Sequence, residues 1–167
     1  MPTKKRKSAP SAFGNLHPEL DEVNLRLLTE LIADPRLPMS ALARRVGMSA
    51  PAVTERVRRM RDTGILTGYH VDIDPASLGL PVAAYVRIRP GPGQLPKLTH
   101  HATGHHQVSE CHRITGEDCL LIKVHAPTIE QLEEVLDGFL LYGQTTTSIV
   151  VSSPVPPRQL PLPGPPG

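Results

Sequence analysis

A chain of 167 residues is long enough for one ordinary domain or two small ones. With 18 Lys and Arg against 16 Asp and Glu it is close to neutral, it has no Trp, and its two Cys are too few for a disulfide framework. No apolar run approaches the roughly 18–20 residues of a membrane helix, and the first ten residues lack the apolar core of a secretory signal, so the expectation is a soluble intracellular protein with reduced thiols.

Residues 1–15 contain Lys4, Lys5, Arg6 and Lys7 without an acid and read as a disordered basic tail. Over 16–68 the apolar positions follow a helical period. Leu20, Val23, Leu27, Leu28 and Leu31 make one stripe. Asp21 and Glu22 favour the first turn, and Asp34-Pro35 ends the helix. Ser40 is expected to cap a short helix over 41–46 that closes at Gly47. Ser49 is expected to cap a third helix, with Val53, Val57 and Met60 buried and Thr63-Gly64 as its stop. Residues 65–73 should lie beside these helices as a β-wing with a strand at 69–73, so 69–81 reads as wing and linker with a turn at Asp74-Pro75.

Past residue 81 the pattern becomes strands and turns. Residues 82–89 alternate as a strand, and 90–104 is a Gly/Pro-rich helix candidate anchored by Leu95 and Leu98. Residues 108–115 and 119–126 predict two strands joined at Gly116-Glu117-Asp118. Residues 129–141 predict a helix capped by Thr128 with the stripe Ile129, Leu132, Leu136 and Leu140, and 145–151 a last β-branched strand. Over 82–151 the order is βαββαβ, an α+β sandwich of one four-stranded antiparallel sheet with two helices on one face. Covering one face only should leave an apolar face for a second copy, which predicts an obligate dimer. Residues 152–167 hold seven Pro and predict a solvated, disordered tail.

A short helix, a Gly turn and a capped Arg-bearing helix have the spacing of a helix-turn-helix. Between 44 and 61 six Arg face only Glu55, a confined basic concentration suited to an anionic partner. Burying Val53, Val57 and Met60 leaves Ala50, Pro51, Ala52, Thr54, Glu55, Arg56, Arg58 and Arg59 outward. Small residues at the N-terminal end let the helix enter the major groove of double-stranded DNA. The candidate DNA contacts are Arg44, Arg45, Ser49, Ala50, Pro51, Ala52, Thr54, Arg56, Arg58 and Arg59.

The ordered motifs across 20–151 resemble the Lrp/AsnC (feast/famine) family of transcription regulators. They are Leu20-Asp21-Glu22-Val23-Asn24, Leu42-Ala43-Arg44-Arg45-Val46-Gly47-Met48-Ser49, Val53 with Arg56-Val57-Arg58-Arg59-Met60, and Gly64-Ile65-Leu66-Thr67-Gly68-Tyr69. Asp74-Pro75 with Leu78-Gly79, Arg113-Ile114-Thr115-Gly116-Glu117-Asp118, and Thr145-Thr146-Thr147-Ser148-Ile149-Val150 continue them. The resemblance implies an N-terminal winged helix-turn-helix joined to a C-terminal ferredoxin-like sandwich of the RAM type. It also implies pairing through the sheets as a homodimer, assembly of four dimers as an octamer, and an amino-acid effector. Carried onto this chain, the effector residues are Gly116, Glu117, Asp118 and Cys119 at the turn, with Thr145 and Thr147 on the closing strand. The chain departs from the family pattern at Asn24, where Asp is usual, and at Cys111 and Cys119, where aromatics are common.

Two other functional classes have partial signals in the sequence. His100, His101, His105, His106, Cys111, His112, Cys119 and His125 invite a metal-responsive regulator, but no finger spacing or CxxC pair occurs, and exposed His on a loop is the simpler account. A sirohaem-decarboxylase-like enzyme on the same scaffold would need a His-Asn-Tyr-type signature that 108–112 lacks. With no Gly-rich phosphate loop, GxSxG or HExxH, the expectation is a cytoplasmic regulator that needs no cofactor, metal or membrane.

Overall fold

The computed structural model describes residues 17–163; the basic tail expected over 1–15 lies outside the described residues. The described chain forms two compact units, the first running to His70 and resuming at Pro157, the second spanning Val71–Pro156.

The first unit is helical. Helix α1 (Glu22–Ala33) starts where the Asp21 carboxylate accepts from the Asn24 N–H, and ends at Asp34. Helix α2 (Met39–Val46) begins two residues earlier than Ser40 predicts. Pro38, with φ fixed at −60°, is its N-cap, its carbonyl accepts from Ala41 and Leu42, and Ser40 sits inside the first turn instead of capping. Helix α3 (Ala50–Asp62) buries Val53, Val57 and Met60, the stripe its period predicts. These three side chains close on Leu27, Leu31, Leu42 and Val46 to make the core. Burial of an aliphatic side chain on this scale is worth about 1.5–3 kcal/mol.

Two expectations fail here. Residues 69–73 form no strand and Val71 is 85% exposed, so the wing strand expected there does not form among the described residues. Tyr69, Val71 and Ile73 favour extended backbone, but an extended segment becomes a strand only by finding a ladder partner. The Asp74-Pro75 turn does form, as a single 3₁₀ turn over Pro75–Leu78 capped by Asp74. The Pro-rich tail is not wholly solvated either. Leu162 is partly buried against the helical core, because Pro-fixed extended backbone can offer an isolated Leu to an apolar neighbour.

The second unit contains β1 (Val82–Pro90), α4 (Leu95–Gly104), β2 (Val108–Arg113), β3 (Leu120–Ala126), α5 (Ile129–Leu140) and β4 (Gly143–Ile149). The strands lie in the order β2-β3-β1-β4, all antiparallel. Ala84, Val86 and Ile88 of β1 and Leu120, Ile122, Val124 and Ala126 of β3 point to one face. Leu98 and Ala102 of α4 and Leu132, Val135 and Phe139 of α5 cover them. Helix α5 is rotated from its expected phase: Ile129 and Leu140 are 41% and 52% exposed, and Val135 and Phe139 take the core positions. Phe139 is the larger side chain, and it fills the space beside His101, ring centroids 4.7 Å apart. At the start of β4, a Cβ on Gly143 would collide with the Arg89 carbonyl oxygen, so only glycine lets the edge strand approach.

The uncovered face of the sheet is not apolar, contrary to expectation. Tyr85 and Lys123 are register partners across β1 and β3, as are Glu110 and Lys123 across β2 and β3. The Lys123 ammonium lies 3.1 Å from Glu110 and 5.6 Å from the Tyr85 ring centroid. Arg87 and Arg89 occupy the same side of β1. A polar network replaces the expected greasy surface.

Candidate functional site

The α2–α3 connection depends on one conformation. Gly47 closes α2 at φ 72°, a left-handed geometry that a β-carbon disfavours, and Ser49 then caps α3, its Oγ accepting from the Ala52 N–H. This turn lets α2 brace α3 while leaving one side of α3 exposed.

The residues singled out for DNA contact do not all lie equally free. Ser49 uses its hydroxyl in the cap, and the Thr54 hydroxyl donates to the Ala50 carbonyl at 2.8 Å. Ala50 and Ala52 are half-buried, Ala50 against the core, whereas Pro51 and Thr54 are exposed. The arginines sort by their partners. Arg56 donates to Asp21 at 2.7 Å and to the Asn24 amide oxygen at 3.1 Å, and Arg59 faces Glu19 at 3.8 Å. Arg45 pairs with Glu30 at 2.6 Å. Arg58 is forked onto Glu55 at 2.9 and 2.7 Å and reaches Asp62 at 2.7 Å. Arg44 and Arg61 carry no ion pair among the described residues.

These pairs shift the acids as electrostatics requires. Burial pushes the Asp21 carboxyl up, but the Arg56 guanidinium and backbone N–H groups outweigh it and hold Asp21 below the ordinary range. The hydrogen bonds from Arg58 hold Glu55 low. Exposed pairs of this kind are worth only about 0–1 kcal/mol, so the guanidinium groups can exchange carboxylate for phosphate at little expense. Glu19, Asp21, Asn24 and Glu30 are not recognisable from sequence as partners because they meet the arginines across 15 to 40 residues, whereas Arg61 belongs by position to the basic cluster.

In the second unit, Gly116 is exposed at φ 109°, and Glu117 and Asp118 reach back onto β1. Glu117 pairs with Arg89, and Asp118 lies 3.5 Å from Arg89 and 4.0 Å from Arg87. Cys119 is half-buried behind them. Thr145 and Thr147 stand opposite Ile88 and Val86, so they share the helix-covered face, while Arg87 and Arg89 point the other way. Because the turn's carboxylates lie with Arg87 and Arg89, these threonines stand on the opposite face of the sheet from them within one chain.

The histidines and cysteines do not converge. His105 and His106 stack at 5.4 Å, His101 packs on Phe139 and Tyr142, and His125 bonds Ser109 at 3.1 Å. Cys111 faces the row of Ile122, while His112 lies on the opposite side with Glu110. Among the described residues no three His, Cys, Asp or Glu come together in a way that could hold a metal ion.

Comparison with known proteins agrees with both halves. Residues 20–61 match the AsnC-type helix-turn-helix domain and residues 83–160 the Lrp/AsnC ligand binding domain. The chain is similar to the HTH-type transcriptional regulator LrpC of Bacillus subtilis, 32% identical over 134 residues, covering 80% of this chain and 93% of that protein. It is also similar to AldR of Mycobacterium tuberculosis, 34% identical over 153 residues, covering 87% of this chain and 86% of that protein. A solved feast or famine regulatory protein from M. tuberculosis, complexed with L-methionine, aligns with TM-score 0.78 and 30% identity over 84% of this chain and 98% of that one.

Proposed function

From the premise that this chain belongs to the Lrp/AsnC family of transcriptional regulators, we propose that it reads DNA with α3 and releases or tightens that grip in response to an amino acid. That it is a DNA-binding regulator modulated by a small effector follows from the family. The finer assignments are ours. Pro51 and Thr54 approach base edges, with Ala50 and Ala52 keeping that end of the helix slim. Arg44, Arg45, Arg56, Arg58 and Arg59 serve phosphates or guanine edges, and Ser49 holds the end of the helix in register.

An amino acid carries one ammonium and one carboxylate. The pairing of Arg89 with Glu117 and Asp118 offers the complementary pair of charges, so a zwitterion can insert by exchanging partners. Gly116 leaves the turn open to it. Thr145 and Thr147 would then reach a ligand at this turn only from a neighbouring copy. Such copies fit the exposed apolar residues Leu141, Ile149, Val151 and Val155 of the second unit, and we assign a homodimer, or an octamer of four dimers, acting in the cytoplasm by binding alone. A dimer reads half-sites about one helical turn, ~10 bp, or a multiple apart.

The observation that carries the reading is the braced, Gly47-turned α3 with its exposed arginines. Selection of duplexes from a random pool by the full chain, followed by anisotropy titration with each of the twenty amino acids, tests it. A selected sequence whose affinity one amino acid changes supports the proposal, and Gly116→Arg should abolish that response while preserving basal binding. Failure to select any duplex overturns it.

A further inference from the structure

The side of α3 opposite its buried stripe is a single ridge: Pro51, Glu55, Arg58 and Asp62, spaced i, i+4, i+7 and i+11. The Glu55, Arg58 and Asp62 side chains are 50%, 61% and 57% exposed, and on one flank Arg56 is 33% and Arg59 58% exposed. The most outward part of a helix that meets a polyanion therefore holds two carboxylates and one arginine. Arg58 is not free to offset both: three of its nitrogens already donate to those same carboxylates. General affinity for phosphate would favour the opposite arrangement.

A carboxylate that enters a major groove loses water and must find a donor, and the base edges there offer only the amino groups of cytosine and adenine. Of the two acids, Glu55 is near the N-terminal half of α3, the end that approaches bases in a helix-turn-helix, while Asp62 lies seven residues, about 10 Å, further along. Resting on the reading of α3 as the DNA-reading helix, we propose that Glu55 is a specificity-determining residue, accepting a hydrogen bond from the N4 amino group of a cytosine in each half-site. Arg58, forked beside it, donates its remaining N–H groups to a neighbouring guanine. Asp62 positions Arg58 and reads no base. At sites without the cytosine, the base-facing side of the Glu55 carboxylate, which Arg58 does not cover, loses water without gaining a donor and is repelled by phosphate, so it excludes wrong sequences rather than adding affinity.

The test is selection from random duplexes by the full-length wild type, Glu55→Ala, Glu55→Gln and Asp62→Asn, with circular dichroism confirming that each folds. Wild type should demand cytosine at one position per half-site. Glu55→Ala should lose that demand, with discrimination there falling about tenfold or more, and should bind unrelated duplex more tightly. Glu55→Gln should shift the preference at that position to adenine, the base a carboxamide matches bidentately. Asp62→Asn should change affinity evenly across sequences and leave the cytosine preference intact. Unaltered base preference in Glu55→Ala overturns the proposal, and so does loss of the same preference in Asp62→Asn, which would mean that Glu55 acts only by orienting Arg58. A wild type that selects sequence normally while Glu55→Ala behaves identically defeats this inference alone; a wild type that selects nothing defeats the DNA-reading role with it.

Discussion

The two units hold their charges in different ways. In the helical unit the ion pairs sit at the surface: Arg45 is 49% exposed in its pair with Glu30, and Arg59 is 58% exposed facing Glu19. In the sheet unit, Lys123 is only 16% exposed, wedged between Glu110 and the Tyr85 ring. A solvated pair is weak and exchangeable, whereas a shielded ammonium is held in place, because it has little water to fall back on when its carboxylate is removed. The difference separates pairs free to trade partners, the exposed Arg89–Glu117 pair of the sheet unit among them, from the one that holds the sheet in register.

That contrast can be broken most severely at β4. Gly143→Ala would place a methyl inside the contact distance of the Arg89 carbonyl, and should destabilise the sheet unit by roughly 3 kcal/mol. Chemical denaturation followed by circular dichroism would show the loss, with the helical unit's hydrogen-exchange protection unchanged. Next is Lys123→Met, which removes the ammonium from Glu110, still 39% exposed and beside His112, and should reduce stability by about 1 kcal/mol in the same measurement.

Acidification should separate the units more gently. Burial, with His106 and His101 beside it, lowers His105 below its ordinary value of 6.5, and burial with Lys123 lowers His125, the nearby Glu110 opposing. The unfolded chain then binds protons more readily than the folded one, so stability is complete above about pH 6.5 and declines as pH falls below it. Thermal unfolding of the sheet unit between pH 8 and pH 5 should show a falling midpoint, and His105→Phe should flatten the trend. The smallest effect belongs to the surface: Arg45→Ala should alter stability by no more than about 0.5 kcal/mol.

Periodicity disclosed what is local. Val53, Val57 and Met60 were readable because one helix settles which of its own sides is greasy. On α5 the same reasoning chose Ile129 and Leu140 over Val135 and Phe139, since both stripes contain Leu132 and only the sheet decides between them. The strand expected at 69–73 failed for lack of a partner, which no residue within it reveals. The polar side of the sheet depends on register, which sets Glu110 against Lys123, and on a turn folding back to Arg89. The candidate DNA residues were legible as types and positions; their acidic partners were not, because Asp21 and Arg56 are 35 residues apart. Glu55, Arg58 and Asp62 were the exception, since helical spacing already places them side by side.

Exchange of a carboxylate for DNA is most directly measured by the salt dependence of binding to a selected duplex, for wild type, Arg56→Ala and Asp21→Asn. If Arg56 leaves Asp21 for a phosphate, Arg56→Ala lowers the slope of log affinity against log salt by about 1, and Asp21→Asn strengthens binding by freeing the guanidinium. Affinity and slope that stay the same in both variants would show that Arg56 remains bound to Asp21 on DNA, and the exchange does not occur.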